Sequence, residues 1–390
     1  MTSNLKKILS HTAVAVLSCV LTLAVVFFVP RGSDEQSYSK LDELTNLIDN
    51  RFIGEADQKA MEDGAAAGIV EALGDRWSYY MTAEEYASYL EAMANSYVGI
   101  GVTVQLREDG AGINVTQVTA GGPAEEAGGL PGDTITAVAG QSIAGMTLAD
   151  ITPLIKGEEG TFVTLTLARG DETLELTVQR RQIDTAVATG TMLEGNIGLV
   201  RIVNFDARCA DETIAAIEEL VGQGAEALIF DVRYNPGGYK AELVEILDYL
   251  LPEGLLFRSE YYDGSTKDDM SDERCLNMPM AVLINGSSYS AAEFFAAALS
   301  EYDFAVTVGS QTSGKGYFQS CFKLSDGSAV NLSVGKYYTP KGVSLAEVGG
   351  LTPDIPVEVT DKEAAAIYAG TIDPMEDPQI LAAIAALREQ

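Results

Sequence analysis

Residues 285–319 bring two reactive side chains close together along the chain. Ser290 stands where a loop gives way to an apolar helical run, and Lys315 is flanked by Gly314 and Gly316 with Gln319 just behind. A serine at a helix N-terminus is offered the next backbone N–H, here that of Ala291, for a developing oxyanion, and the helix dipole has the favourable sign. Gly237 and Gly238 supply a second loop whose N–H groups can complete such a hole, since glycine lets backbone approach a scissile carbonyl closely. The single histidine is His11, inside an N-terminal apolar run. A catalytic domain beyond that run works without imidazole, which excludes Ser-His-Asp chemistry and histidine-ligated metal and leaves lysine as the base. To accept a proton near neutrality, Lys315 must fall about 2–3 units below an ordinary pKa of about 10.4, roughly 3–4 kcal/mol, which burial in an apolar pocket supplies. Gln319 can orient the amine by hydrogen bond without stabilising its charge.

Each of these residues also has a plainer reading. Ser290-Ala291-Ala292-Glu293 has capping-box spacing, and most such serines merely start a helix. Lys315 reads equally as a solvated loop lysine. Residues 309–315 fit the Gly-x-x-x-x-Gly-Lys pattern after a strand, but a phosphate loop needs Ser or Thr next for magnesium and Gly316 stands there. Nucleotide hydrolysis is therefore excluded. With no second histidine and no metal-type cysteine spacing, no metal and no cofactor is expected.

The elements that must position these groups come from a chain of 390 residues, 47% hydrophobic, long enough for two or three domains. A formal charge of −32 leaves no basic surplus for nucleic acid and suits a solubilising surface. Lys6 and Lys7 precede residues 8–29, which carry no formal charge; as a helix this run is about 33 Å long, enough for a hydrocarbon core of about 30 Å. The lysine pair predicts a cytoplasmic tip, a single-pass membrane anchor and an extracytoplasmic catalytic domain. A cleaved signal peptide is the alternative. Cys209, Cys275 and Cys321 show no metal-type spacing, and nothing requires a disulfide among them.

Residues 38–96 read as helical, with Leu41, Leu44, Leu47 and Ile48 on one face, a second apolar run ending at Gly74, and a helix from Ala83 capped by Thr82 with Glu85. This region suits homodimer contact or tethering, and its default role is scaffold. Residues 97–182 change to short strands with glycine punctuation and one helix over 146–155. Gly99-Ile100-Gly101-Val102 before the first strand, Gly122-Pro123-Ala124, Ala127-Gly128 and Pro131-Gly132-Asp133 resemble a PDZ domain. The resemblance implies an extended peptide added as a strand, its terminal carboxylate held on backbone N–H groups at Gly99, Ile100, Gly101 and Val102. Residues 183–360 alternate strands and helices, an α/β domain, with strands over 197–202, 227–231, 281–284, 304–308 and 329–334 and helices over 213–221, capped at Asp211, 241–251 and from Ser290. The charged stretch 263–273 predicts a mobile surface loop, and residues 361–390 a C-terminal helical segment.

Taken together the motifs resemble the carboxyl-terminal processing peptidases, the tail-specific proteases of bacteria and plastids. The match runs over residues 41–359 and includes Leu73-Gly74-Asp75-Arg76-Trp77-Ser78-Tyr79-Tyr80-Met81, Asp231-Val232-Arg233-Tyr234-Asn235-Pro236-Gly237-Gly238, Gly314-Lys315-Gly316 with Gln319, Tyr337-Tyr338-Thr339-Pro340 and Gly350-Leu351-Thr352-Pro353-Asp354. The resemblance implies an α/β (α+β) fold: a crotonase and Clp-protease-like core with an inserted PDZ domain, a helical N-terminal region and a transmembrane helix. It assigns Ser290 as nucleophile, Lys315 as general base and Gln319 as its orienting partner in a serine endopeptidase acting on protein C-terminal tails. Tyr289 and Ala292 stand where the family usually has Ala and Ser, and Tyr317-Phe318 replace a smaller pair, which touches substrate preference. The expected domains are 1–37 (tip, anchor and linker), 38–96, 97–182, 183–360 and 361–390. A catalytically silent PDZ scaffold that binds tails without cutting them is the alternative.

Overall fold

The computed structural model describes residues 39–389. The predicted anchor over residues 8–29 lies outside them, and among the described residues no helix is long and apolar enough to cross a membrane. The chain divides into two compact units at residues 65 and 66. In the first, helix Ser39–Arg51 leaves Leu44 and Leu47 about half exposed, at 52% each. Helix Gln58–Glu71 starts earlier than the apolar run that announced it, because its first turns are polar.

The second unit is built on a six-stranded sheet in the order Ala188–Leu193, Ile197–Ile202, Ala227–Asp231, Met280–Ile284, Ala305–Gly309, Ile355–Pro356. The first pair is antiparallel and the rest are parallel. Strands 227–231 and 280–284 are buried throughout, as a parallel sheet covered on both faces requires. Their period-2 alternation sorts the side chains. Leu228, Phe230, Met280, Val282 and Ile284 pack under helices Cys209–Gly222, Lys240–Leu250 and Ala291–Glu301. Ile229, Ala281 and Leu283 turn to the other face, where Ile380, Ala383, Ile384 and Leu387 of the C-terminal helix Pro378–Leu387 cover them. A buried ion cluster fixes that helix: Arg233 pairs with Asp231 at 2.7 Å and with Asp377 at 2.8 Å.

A second, antiparallel sheet holds Tyr79–Met81, Ala329–Tyr338, Gly254–Tyr261 and Thr266–Ser271, with Tyr317–Lys323 paired to Ala329–Tyr338. The expected mobile loop at 263–273 is thus corrected: most of it is a strand. Its charges suit an edge, since Asp268 and Asp269 pair with Arg258 and Lys240 and shield the ladder from further pairing. The helix expected to be capped at Asp211 starts instead after Arg208, whose φ of 72° makes the turn. That guanidinium donates to the carbonyls of Ala94, Asn95 and Thr185. It thereby clamps the two-stranded ladder of Ser96–Gly99 with Arg181–Asp184, the stem of a smaller β module.

In that module strands Val102–Leu106, Ile113–Val118, Thr134–Val138, Phe162–Arg169 and Glu172–Gln179 form an antiparallel sheet. Helix Leu148–Ile155 closes its core through Ile151 and Ile155, and its Thr147 and Asp150 make the predicted capping box. Cys209, Cys275 and Cys321 are free thiols.

Candidate active site

Three neighbouring parallel strands, Ala227–Asp231, Met280–Ile284 and Ala305–Gly309, release their C-terminal loops at the same end of the sheet, the usual crevice of an α/β fold. The middle loop carries Ser290, its neighbours carry Gly237-Gly238 and Lys315, and this topology gathers residues far apart in sequence. Ser290 stands at φ 58° and ψ −126°. Such a conformation costs a non-glycine residue on the order of 1–3 kcal/mol and persists only where the surroundings impose it. They do so here. Asn285 Oδ1 accepts the N–H groups of Tyr234 and Ser287 at 3.0 and 3.1 Å, Ser288 Oγ donates to the Val232 carbonyl at 2.8 Å, and the Tyr289 N–H donates to the Asn235 carbonyl at 3.2 Å. The Ser290 N–H donates to Glu293 Oε2 at 2.9 Å, whereas the Ser290 hydroxyl makes no capping hydrogen bond. Ser290 is half-buried at the mouth of the helix.

Gly237 presses directly on this turn. A Cβ built on it would lie 2.7 Å from Ser290 Cβ and 2.9 Å from the Ala291 nitrogen, and its φ is +89°. Its own N–H donates to Asn235 Oδ1 at 2.8 Å. Gly238 is wedged against Phe205 and Asp206, its φ at +152°. The Phe205 N–H donates to the Gly237 carbonyl and the Tyr239 N–H to the Phe205 carbonyl, both at 2.7 Å, fixing the loop from behind. Among the described residues the N–H groups of Gly238 and Ala291 have no hydrogen-bond acceptor. Leu243, Phe257, Phe294 and Tyr337 wall a small apolar recess that opens beside Ser290 and Gly238.

Lys315 is reached through Glu293. This fully buried carboxylate accepts the Ser290 N–H on Oε2 at 2.9 Å and the Lys315 N–H on the same oxygen at 2.8 Å, while Oε1 takes the Gly314 N–H at 2.6 Å and Thr312 Oγ1 at 2.5 Å. One side chain therefore locks the serine turn to the lysine loop. The Lys315 amine lies over the rings of Trp77, 4.5 Å from its centre, and Tyr289, 5.6 Å away. Burial holds its pKa down at about 8, against the opposing pull of the Glu293 and Asp75 carboxylates, with the Arg76 charge adding to the depression. A lysine in that range is neutral in about one molecule in ten at pH 7, far more than an ordinary lysine, as a base requires.

Residues 196–357 match the profile described as Peptidase family S41, residues 115–169 that of a PDZ domain, and residues 29–85 that of the activating protease CtpB N-terminal domain. The carboxy-terminal processing protease CtpA of Bacillus subtilis (strain 168) is 31% identical over 370 residues, covering 92% of this chain and 79% of that protein. The chain belongs to peptidase family S41. It is a serine-type carboxy-terminal processing protease with a PDZ domain, in a mixed α/β fold. A probable CtpA-like serine protease of Staphylococcus aureus (strain N315) is 28% identical over 365 residues, 91% of this chain and 73% of that one. A solved structure from Bacteroides fragilis NCTC 9343, at TM-score 0.52 and 18% identity over 83% of this chain and 90% of that chain, shares the fold.

In this S41 peptidase the sequence-predicted residues fall into two groups. Ser290, Ala291, Gly237, Gly238 and Lys315 converge. Gln319 lies on strand Tyr317–Lys323, but its amide donates to Ser333 Oγ at 3.0 Å and to the Tyr317 carbonyl at 3.3 Å rather than touching Lys315. Gly99, Ile100, Gly101 and Val102 form the loop from the stem ladder into the first strand of the β module, with Ile100 buried and its carbonyl accepting the Ala124 N–H at 2.9 Å.

Sequence reasoning missed what surrounds the lysine. Trp77 belongs to a segment read as scaffold, yet Tyr79–Met81 pairs with Ala329–Asn331 and delivers the indole to the site. Asp75 accepts the Trp77 N–H at 3.1 Å and Ser78 Oγ at 2.6 Å, which shapes the turn that presents the ring. Burial raises the Asp75 pKa, but hydrogen bonds from Ser333, Ser78 and the Trp77 N–H, with the Lys315 charge, bring it below the usual carboxylate range. The available signal was the run from Leu73 to Met81, rich in aromatics and out of place in a plain helical scaffold.

Proposed function

We propose that this S41 peptidase is a membrane-anchored, extracytoplasmic endopeptidase that captures protein C-termini on its PDZ domain and cleaves by a Ser290–Lys315 acyl-enzyme mechanism. The observation that carries the reading is the lysine: half-buried under aromatic rings, held down at about 8, and tied by Glu293 to the same turn that strains Ser290. Neutral Lys315 takes the Ser290 proton as Oγ attacks the scissile carbonyl, and returns it to the leaving amine. The unengaged N–H groups of Gly238 and Ala291 suit the oxyanion, narrowing the earlier glycine pair, since the Gly237 N–H already serves Asn235. Gln319, whose amide serves Ser333 and Tyr317 in this structure, becomes the orienting partner when it turns to the amine. The apolar recess beside Ser290 suits a small apolar residue at the cut. The charge-free run over residues 8–29 behind Lys6 and Lys7 supports the anchor, and the loop at Gly99, Ile100, Gly101 and Val102 supports tail capture, with residues 97–182 as the PDZ unit and 183–360 as the protease core.

The test is cleavage of a peptide-tagged substrate by the purified extracytoplasmic chain. Ser290→Ala and Lys315→Ala should each lower kcat by about 10³-fold or more, and wild-type kcat/KM should rise with pH along a limb centred near 8, as the lysine loses its proton. Retained turnover in either variant, or a flat profile from pH 6 to 9, sinks the mechanism.

A further inference from the structure

The Lys315 amine is held chiefly by aromatic faces. Its nitrogen lies 4.5 Å from the centre of the Trp77 ring and 5.6 Å from that of Tyr289, and these two rings sit 5.7 Å apart with planes tilted by 35°. The Arg76 guanidinium also stacks on Trp77, at 4.2 Å. Trp77 comes from the segment upstream of the PDZ domain and Tyr289 from the nucleophile turn itself, so two distant parts of the chain close on one amine.

We propose that Trp77 and Tyr289 are positioning residues for Lys315, two ring faces that wall the amine from water and hold it beside the nucleophile turn. The proposal rests on the dyad reading given above. Two effects of the rings oppose each other. A ring face attracts an ammonium by about 0.5–2 kcal/mol, favouring the charged form, while exclusion of water disfavours that form by up to several pKa units. The groups facing the amine are Glu293 from the nucleophile helix, Asp75 and Arg76 from the segment carrying Trp77, and the Tyr289 phenol, whose own pKa burial pushes up. Both carboxylates pull the lysine up, yet it stays low, so desolvation wins. The rings are large and close enough to supply it.

The indole offers a direct reporter, because Trp77 is the only tryptophan in the chain. In catalytically silent Ser290→Ala protein, tryptophan emission should titrate with a midpoint near pH 8, and Lys315→Met should abolish the step. In active enzyme, Trp77→Ala and Tyr289→Ala should move the rising limb of kcat/KM upward by about one pH unit or more, lowering activity at pH 7 about tenfold or more while sparing the alkaline plateau. Trp77→Phe and Tyr289→Phe keep a ring and should leave the limb in place. A missing emission step, or one that survives Lys315→Met, overturns the clamp whatever the activity does, as does an unmoved limb in both alanine variants. Turnover retained by Lys315→Met would instead overturn the dyad reading, and the emission step would still decide whether the rings hold the amine.

Discussion

Glu293 shows how one residue sets the geometry of two others. It is fully buried, and its two oxygens accept four donors: the Ser290 N–H from the serine turn, and the Lys315 N–H, the Gly314 N–H and Thr312 Oγ1 from the lysine loop. Glu293→Gln keeps the shape but exchanges one oxygen for an NH₂ group that must face N–H donors. Losing charged hydrogen bonds of this kind costs about 1–3 kcal/mol each, so kcat should fall by about 10²-fold with a lower thermal midpoint. A second effect falls on Lys315: the Glu293 charge raises its pKa, and removal of that charge should shift the rising limb to lower pH. A limb unchanged in position, with only stability lost, would reduce Glu293 to a packing role. In the sequence this residue was legible only as the fourth member of a capping box. Its bonds to Gly314 and Thr312 join residues about 20 positions apart, and no local pattern reports such a contact.

At the scale of elements, the loop after strand Ala227–Asp231 is the part of the site with least freedom. Gly237 packs against Ser290 and Ala291 on one side, and its carbonyl pairs with Phe205 on the other. Gly237→Ala adds a methyl at van der Waals overlap with Ser290 Cβ, at a φ that L residues rarely adopt. Since displacement of a reacting group by about 1 Å is worth about 10² in rate, kcat should drop by that order while circular dichroism and PDZ peptide binding stay as in wild type; full activity in this variant would show that the loop has room to retreat. Strands 227–231 and 280–284 were legible because both faces are covered and their apolar runs are continuous. Strand Thr266–Ser271 was not, because its charges are satisfied across an edge by Arg258 and Lys240, partners that sequence alone does not reveal. The same limit hid Tyr79–Met81, three residues long and held by pairing with Ala329–Asn331. The glycine loop and the serine turn were readable as chemistry, and their meeting at one sheet end followed from parallel strand order.

For the molecule as a whole, stability should carry a pH dependence that Asp206 controls. This residue lies behind the glycine loop at 8% exposure, its Oδ1 has no hydrogen-bond partner, and a Cβ on Gly238 would come within 2.6 Å of that oxygen. Burial, with the nearby Glu242 charge, pushes its pKa up to about 7. The folded chain thus binds this proton more tightly than the unfolded chain, whose aspartates titrate near 3.9. The stability it contributes is fully present below about pH 4 and is lost as pH rises through about 7. Lys315 acts in the opposite sense and at higher pH, because its folded pKa is lowered: its contribution grows only as pH climbs past about 8. The many other carboxylates behind a net charge of −32 change ionisation mostly in the acid range, so the window from pH 5 to 8 isolates Asp206. Asp206→Asn removes the buried charge and with it a desolvation penalty of about 1–3 kcal/mol. Measured by calorimetry in the Ser290→Ala background to prevent autolysis, the two proteins should melt close together at pH 5 and diverge by pH 8, with the asparagine variant higher by about 2–4 °C for each kcal/mol. Parallel melting curves across that window would mean that Asp206 ionises freely in the folded state, and that the space behind the glycine loop is wet.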